Sequence, residues 1–184
     1  MHNVAAQDTG DLVSRSFPGS WVTGSAKTDV NTHNLEAGSL FPFINSSAVY
    51  HCPADQSTVV NQASTLRFRS YSLSGGLGGI AIFHPVTRAW ELDRSGRANV
   101  FAFVDENETS IDDGLFGLGA NPNYHWLNLP STRHGCWTNL SFTDGHVASQ
   151  RWRAPKIFFI YNQRAASSED LQDLRDLQRG LPVP

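Results

Sequence analysis

Thr138-Asn139-Leu140-Ser141-Phe142-Thr143, followed by Asp144-Gly145 and then His146-Val147-Ala148-Ser149, is the stretch that decides the fold. Apolar and polar residues alternate on both sides of the Asp-Gly pair, which is the period of a half-buried strand. Asp-Gly between alternating runs is the strongest short-range signal for a β-hairpin, because the turn needs residues that tolerate positive φ. The pattern predicts two antiparallel strands with Phe142 facing Val147 across the turn.

The same reading extends outward. Ala98-Asn99-Val100-Phe101-Ala102-Phe103-Val104 is the most hydrophobic run and predicts a central strand covered on both faces. Thr65 to Leu73 alternates and predicts another strand. Val49-Tyr50-His51-Cys52-Pro53 reads as a brief strand ended by proline. Residues 35–48 predict a short helix and a turn, limited by Gly38 and Pro42. Residues 105–125 read as a long loop rich in Asp, Asn and Gly. The chain closes with a helix: Ser167 and Ser168 are N-cap candidates, and Glu169 and Asp170 suit the positive first turn. Leu171, Leu174 and Leu177 form one apolar stripe, and Gly180 is placed to end the helix in a left-handed cap. Gly75-Gly76-Leu77-Gly78-Gly79 lacks the Lys-Ser/Thr and the spacing of a phosphate-binding loop.

The chain has 184 residues, which fits a single domain spanning 1–184. Fourteen Lys+Arg against seventeen Asp+Glu give a net charge of −3, without the basic footprint that nucleic acid or an anionic membrane requires. Charged residues make up only 17%, so the surface relies on Ser, Thr, Asn and Gln, as is more common in exported proteins. No run reaches the roughly 18 apolar residues of a membrane span, and Met1 to Asp8 carries no export signal. Cys52 and Cys136 are the only cysteines; they form no C-x-x-C pair and in an oxidising compartment could close one long-loop disulfide.

Further motifs complete the reading. Nine residues separate His134, in Arg133-His134-Gly135, from Asp144-Gly145. This spacing resembles the bacterial prepilin-type proteins with an H-X9-DG C-terminal domain, relatives of type IV pilins and type II secretion pseudopilins. Trp21-Val22-Thr23-Gly24, Gly38 to Phe43, Val49 to Asp55, Arg69 to Leu73, Phe103 to Glu106, Ile111 to Gly114 and the closing helix from Asp170 resemble further segments of that family in order. The resemblance implies an α+β pseudopilin-like or pilin-like head, with an antiparallel sheet of four to six strands and helices packed on it. It implies a non-enzymatic subunit in the cell envelope, on the periplasmic or extracellular side of the inner membrane, contacting other pilin-like subunits or exported cargo. Family members begin with a basic leader and an apolar anchor helix. Met1 to Leu12 resembles the last polar turns of such a helix, so the expectation is a head whose anchor helix is missing from the chain as given.

Within this frame, His134, Asp144 and Gly145 are expected to be structural. As a catalytic dyad, His134 and Asp144 would stand about 33 Å apart along an extended strand. Asp105, Glu106, Glu108, Asp112 and Asp113 crowd nine positions, and some pseudopilins bind calcium in a comparable loop. Asp105, Glu106, Asp112 and Asp113 are therefore the calcium candidates, although the spacing is not that of an EF-hand. No firm cofactor emerges. His2, His33, His51, His84, His125 and His146 show no metal-ligand spacing. A glycan-binding module using exposed members of Trp21, Trp90, Trp126, Trp137 and Trp152 is the alternative function. A metal-dependent hydrolase built on His134 and Asp144 is a further rival, which that separation counts against.

Overall fold

The computed structural model describes residues 15–77, 92, 96–120, 122–157 and 160–182. The predicted helical end near Met1, part of the Gly75–Gly79 loop and Trp90 lie outside them. The elements run α1 (His33–Glu36), α2 (Phe41–Ile44), β1 (Thr58–Val59), β2 (Gln62–Leu66), β3 (Tyr71–Ser74), β4 (Phe101–Asp105), β5 (Leu115–Phe116), β6 (His125–Trp126), β7 (Trp137–Phe142), β8 (Val147–Arg151), β9 (Gln163–Arg164) and α3 (Ser168–Gln178). Five strands form the main sheet in the order β5-β3-β4-β7-β8. Two small two-stranded pairs, β1-β2 and β6-β9, flank it.

Apolar layers cover both faces of the sheet. Val104, Phe116 and Leu140 point to one face and pack with Phe101, Trp126, Trp152 and the α3 residues Leu174 and Leu177. Leu73 points to the other and packs with Trp21, Val22, Leu35, Tyr50 and Phe103. Phe101 and Phe103 are two residues apart yet belong to opposite layers. A register shift between them, where Phe101 faces Phe142 and Phe103 faces Ser141, makes this possible.

The expected α+β head with an antiparallel sheet and packed helices is overturned. Strand outweighs helix, 26% against 18%, and α3 is the only helix of seven or more residues among those described. The sheet is mixed, because β5 runs parallel to β3. The physical reasons lie in two places. In the N-terminal half, helices stop after one turn. Asn34 is engaged by Thr23 and Asp29, Gly38 sits so close to the Trp21 carbonyl that a Cβ there would lie 2.1 Å from its oxygen, and Pro42 follows at once. The sheet face is therefore covered by single helical turns, coil and aromatic rings. In the acidic loop, the buried guanidinium of Arg69 donates to the carbonyls of Asp112 and Asp113 and lies 5.7 Å from the Trp21 ring centre. That grip returns the chain beside β3 as the parallel strand β5.

Other expectations shift locally. Residues 47–50 form a 3-10 turn instead of a strand. The run 65–73 is split between β2 and β3. The hairpin at Asp144-Gly145 is formed by β7 and β8, but Ser141 faces Val147, and Phe142 stacks on His146 with ring centres 4.2 Å apart. Only Gly145 of the turn has positive φ, at 96°, and its amide donates to the Phe142 carbonyl at 3.0 Å. This is a type I turn closed by a bulge glycine rather than a two-residue turn. Helix α3 starts where Ser167 accepts from the Asp170 amide at 3.1 Å. Gly180 does not adopt the left-handed cap; its missing Cβ admits Phe101, whose Cδ1 would lie 2.8 Å from an added carbon.

One charged cluster seats α3. Lys156 is fully buried, and its Nζ donates to Asp170 at 2.9 Å and Asp173 at 2.7 Å between the rings of Trp126 and Trp152. Burial pushes Asp173 up, but Lys156, the Ala154 amide and Arg153 outweigh it and hold the carboxyl below its ordinary range. Truncating Lys156 strands a buried carboxylate. Lys156→Ala should lower unfolding stability by about 3–5 kcal/mol, measured as a drop in urea midpoint at neutral pH; a change within error would refute the clamp.

Candidate functional site

The end of β4 organises the site. Asp105 faces Tyr71 across the β3–β4 ladder. Beyond it the ladder continues irregularly. The Glu106 amide donates to the Ser70 carbonyl, and the Ser70 amide to the Tyr50 carbonyl, both at 2.9 Å. On the other side, the Ser131 amide donates to the Asp105 carbonyl at 2.8 Å and the Asn107 amide to the Leu129 carbonyl at 2.9 Å. The segments around residues 50, 70, 106 and 130 thus lie side by side. They place Cys52, Asp105 and the Arg133-His134 pair at one spot.

Arg133 ties this junction. Its guanidinium pairs with the Oδ1 of Asp105, lies 3.5 Å from Asp55 and 3.3 Å from Glu108, and donates to the Glu106 carbonyl at 2.9 Å. Asp55 in turn accepts from the Ser70 hydroxyl at 2.6 Å, and that oxygen accepts from the Cys52 amide at 3.1 Å. His134 Nε2 lies 3.3 Å from Cys52 Sγ and 3.3 Å from the Oδ2 of Asp105. Burial pushes the Asp105 carboxyl above its ordinary range, against the pull of Arg133. Burial, with Cys52 and Asp105 nearby, pushes the Tyr71 hydroxyl up to about 12.

The residues singled out from the sequence separate. His134 stands before β7, and Asp144 lies beyond its far end in the β7–β8 turn. There Asp144 accepts from the His146 amide at 3.1 Å and contacts its Nδ1 at 2.7 Å. The nine-residue spacing is the run from the base of the hairpin to its turn. Gly145 has nothing within 4 Å of an added Cβ, so its requirement is conformational, not steric. Cys52 and Cys136 are not bonded: both are free, Cys52 buried and Cys136 exposed. Trp21, Trp126 and Trp152 are buried, and Trp137 is exposed beside Arg151.

The acidic loop does not gather its carboxylates. Asp105 turns to Arg133 and His134. Glu106 turns inward, where Ser110 and the Asn128 side-chain amide donate to its Oε1 at 2.8 and 2.7 Å. Asp113 accepts from the Leu115 amide at 2.7 Å, and Asp112 from the Asp113 amide at 2.7 Å. Among the described residues, the one group of three or more metal-ligating side chains with converging donor atoms is Cys52, Asp105 and His134. Sequence spacing hides this group, because its members come from three distant segments. Each segment is nonetheless one that carries the prepilin-type resemblance: Val49 to Asp55, Phe103 to Glu106, and Arg133 to Gly135.

No family model, curated protein or solved structure matches the chain.

Two buried acids give the loop a pH signature. Burial drives Glu106 up to about 8, despite Ser72 and Ser110. Burial, with Asp112 adjacent, drives Asp113 up to about 7, despite the Leu115 amide and Arg69. A carboxyl with a raised folded pKa binds its proton more tightly in the folded state. The stability it contributes is full below its unfolded value and is lost as pH rises through the folded one. Asp113→Asn keeps the acceptor for the Leu115 amide and removes the titration. Urea midpoints at about pH 4 and about pH 8 should show the variant gaining on the wild type as pH rises; parallel curves would refute the assignment.

Proposed function

We propose that this chain is the head of a prepilin-type H-X9-DG protein, a non-enzymatic pilin-like or pseudopilin-like subunit of a bacterial pilus or type II secretion-type assembly. The head works on the outer side of the inner membrane and makes protein–protein contacts with other pilin-like subunits or exported cargo. The observation that carries this reading is how the motif is used. His134 sits at the base of the β7–β8 hairpin, while Asp144 and Gly145 form its turn, so the nine-residue spacing spans one arm of the hairpin and His134 and Asp144 do not meet.

The arm is also suited to contact. Among the described residues β8 is an edge strand with one neighbour, and Val147 to Ser149 are exposed, Val147 at 67%. Bare edge strands present unpaired backbone groups and readily take another chain. The resemblance supplies a membrane anchor for such a head. No helix among the described residues is long and apolar enough to cross a membrane. The alternative of a glycan module has less support, since three of the four described tryptophans are interior.

A photo-crosslinking residue at Val147, introduced into the chromosomal gene, tests the reading. Irradiated cells should yield envelope-fraction adducts between this chain and another pilin-like subunit or an exported protein. A cytosolic chain without adducts would overturn it.

A further inference from the structure

The three donor atoms at the end of β4 are arranged for a shared guest rather than for one another. Cys52 Sγ, Asp105 Oδ2 and His134 Nε2 all lie within 4.8 Å of each other. In a nucleophile–histidine–acid relay, the thiol and the carboxylate address opposite ring nitrogens. Here both approach the same nitrogen, Nε2, each at 3.3 Å. One nitrogen carries at most one proton and cannot satisfy both as a donor. The Oδ2 of Asp105 is fully buried and makes no hydrogen bond of good geometry among the described residues, with the Ser131 hydroxyl beside its carboxyl and His134 Nε2 at 3.3 Å. A buried carboxylate oxygen that shares one imidazole nitrogen with a thiol, and has no well-aligned donor of its own, has room for a cation as a partner.

We propose that Cys52, Asp105 and His134 bind one divalent transition-metal ion, zinc by preference, with water in the fourth position. The donor set selects the ion. One sulfur, one nitrogen and one oxygen suit zinc, whereas calcium and magnesium take oxygen ligands almost exclusively. The dimensions agree. Zinc bonds of about 2.0–2.3 Å at tetrahedral angles place ligand atoms roughly 3.3–3.6 Å apart; both edges to Nε2 are 3.3 Å, and the third, from Sγ to Oδ2, is within 4.8 Å. His134 is the one partly exposed ligand, its side chain 32% accessible, so the ion and its water approach from that side.

The surroundings fit the assignment. Arg133 takes the Oδ1 of Asp105 and leaves Oδ2 for the metal. Ser70 fixes the Cys52 backbone and is itself held by Asp55. Such outer contacts orient the ligands. Binding exchanges the Cys52 thiol proton, released to solvent, for the sulfur–metal bond, and no electron changes hands. The ion would pin the Cys52 segment, the end of β4 and the base of the hairpin together. This inference does not rest on the pilin-like reading.

Cobalt(II) titration of the reduced, chelator-treated chain tests it. One equivalent should produce a thiolate-to-cobalt charge-transfer band in the near ultraviolet and the intense visible bands of a tetrahedral site, and zinc should displace both. Cys52→Ser should abolish the charge-transfer band, and His134→Ala should weaken binding by more than roughly tenfold. Cys136→Ser should leave the spectrum unchanged. A wild-type chain with no charge-transfer band at saturating cobalt overturns the proposal, however the variants fold. So does a band that survives Cys52→Ser, one that depends on Cys136, or binding that is indifferent to His134.

Discussion

Asp105 ends the central strand with no access to water, so its charge has to be answered from inside the protein. Arg133 supplies the answer, and much follows from that pairing. To bring its guanidinium to Asp105, the chain must pass beside residues 105–107 before entering β7. This fixes the base of the hairpin and sets His134 against the second oxygen of Asp105. Asp55, drawn to the same guanidinium, carries Cys52 in through Ser70. One buried carboxylate thus positions three segments far apart in sequence.

Lys156 repeats the principle on the α3 side of the sheet. Hydrophobic burial supplies most of the drive to fold but is indifferent to small rotations and slides of a helix on a sheet. A buried ammonium held by Asp170 and Asp173, between two indole rings, is not indifferent, because each displacement leaves a charge unpaired. The leucine stripe of α3 therefore gives adhesion, and the lysine gives position. Arg69 does the same for the acidic loop by gripping the carbonyls of Asp112 and Asp113, which turns a stretch that reads as open loop into the approach to a parallel strand.

These interactions explain which parts were legible. The hairpin, the buried strand from Phe101 and the capped terminal helix rest on local signals: a turn pair, an apolar run, a serine cap before a leucine stripe. The parallel pairing of β5, the short turns and coil that cover one sheet face and the Phe101/Phe103 split rest on contacts between residues tens of positions apart, which leave no periodic trace. The α+β expectation failed for that reason. The packed helices came with the resemblance; the short helix read over residues 35–48, limited by Gly38 and Pro42, is in fact two single turns, α1 and α2, with Asn34 bonded to Thr23 and Asp29.

The site divides in the same way. His134 was visible as part of a motif, but its partner along the chain, Asp144, is committed to the far turn. Its partners in space, Cys52 and Asp105, could be seen only as members of separate motifs. The most direct measurement is anomalous diffraction at the zinc edge from crystals of the zinc-loaded chain. The account predicts a single strong peak about 2.0–2.3 Å from Cys52 Sγ, Asp105 Oδ2 and His134 Nε2. A peak confined to other residues, or no peak beside those three atoms, would contradict it.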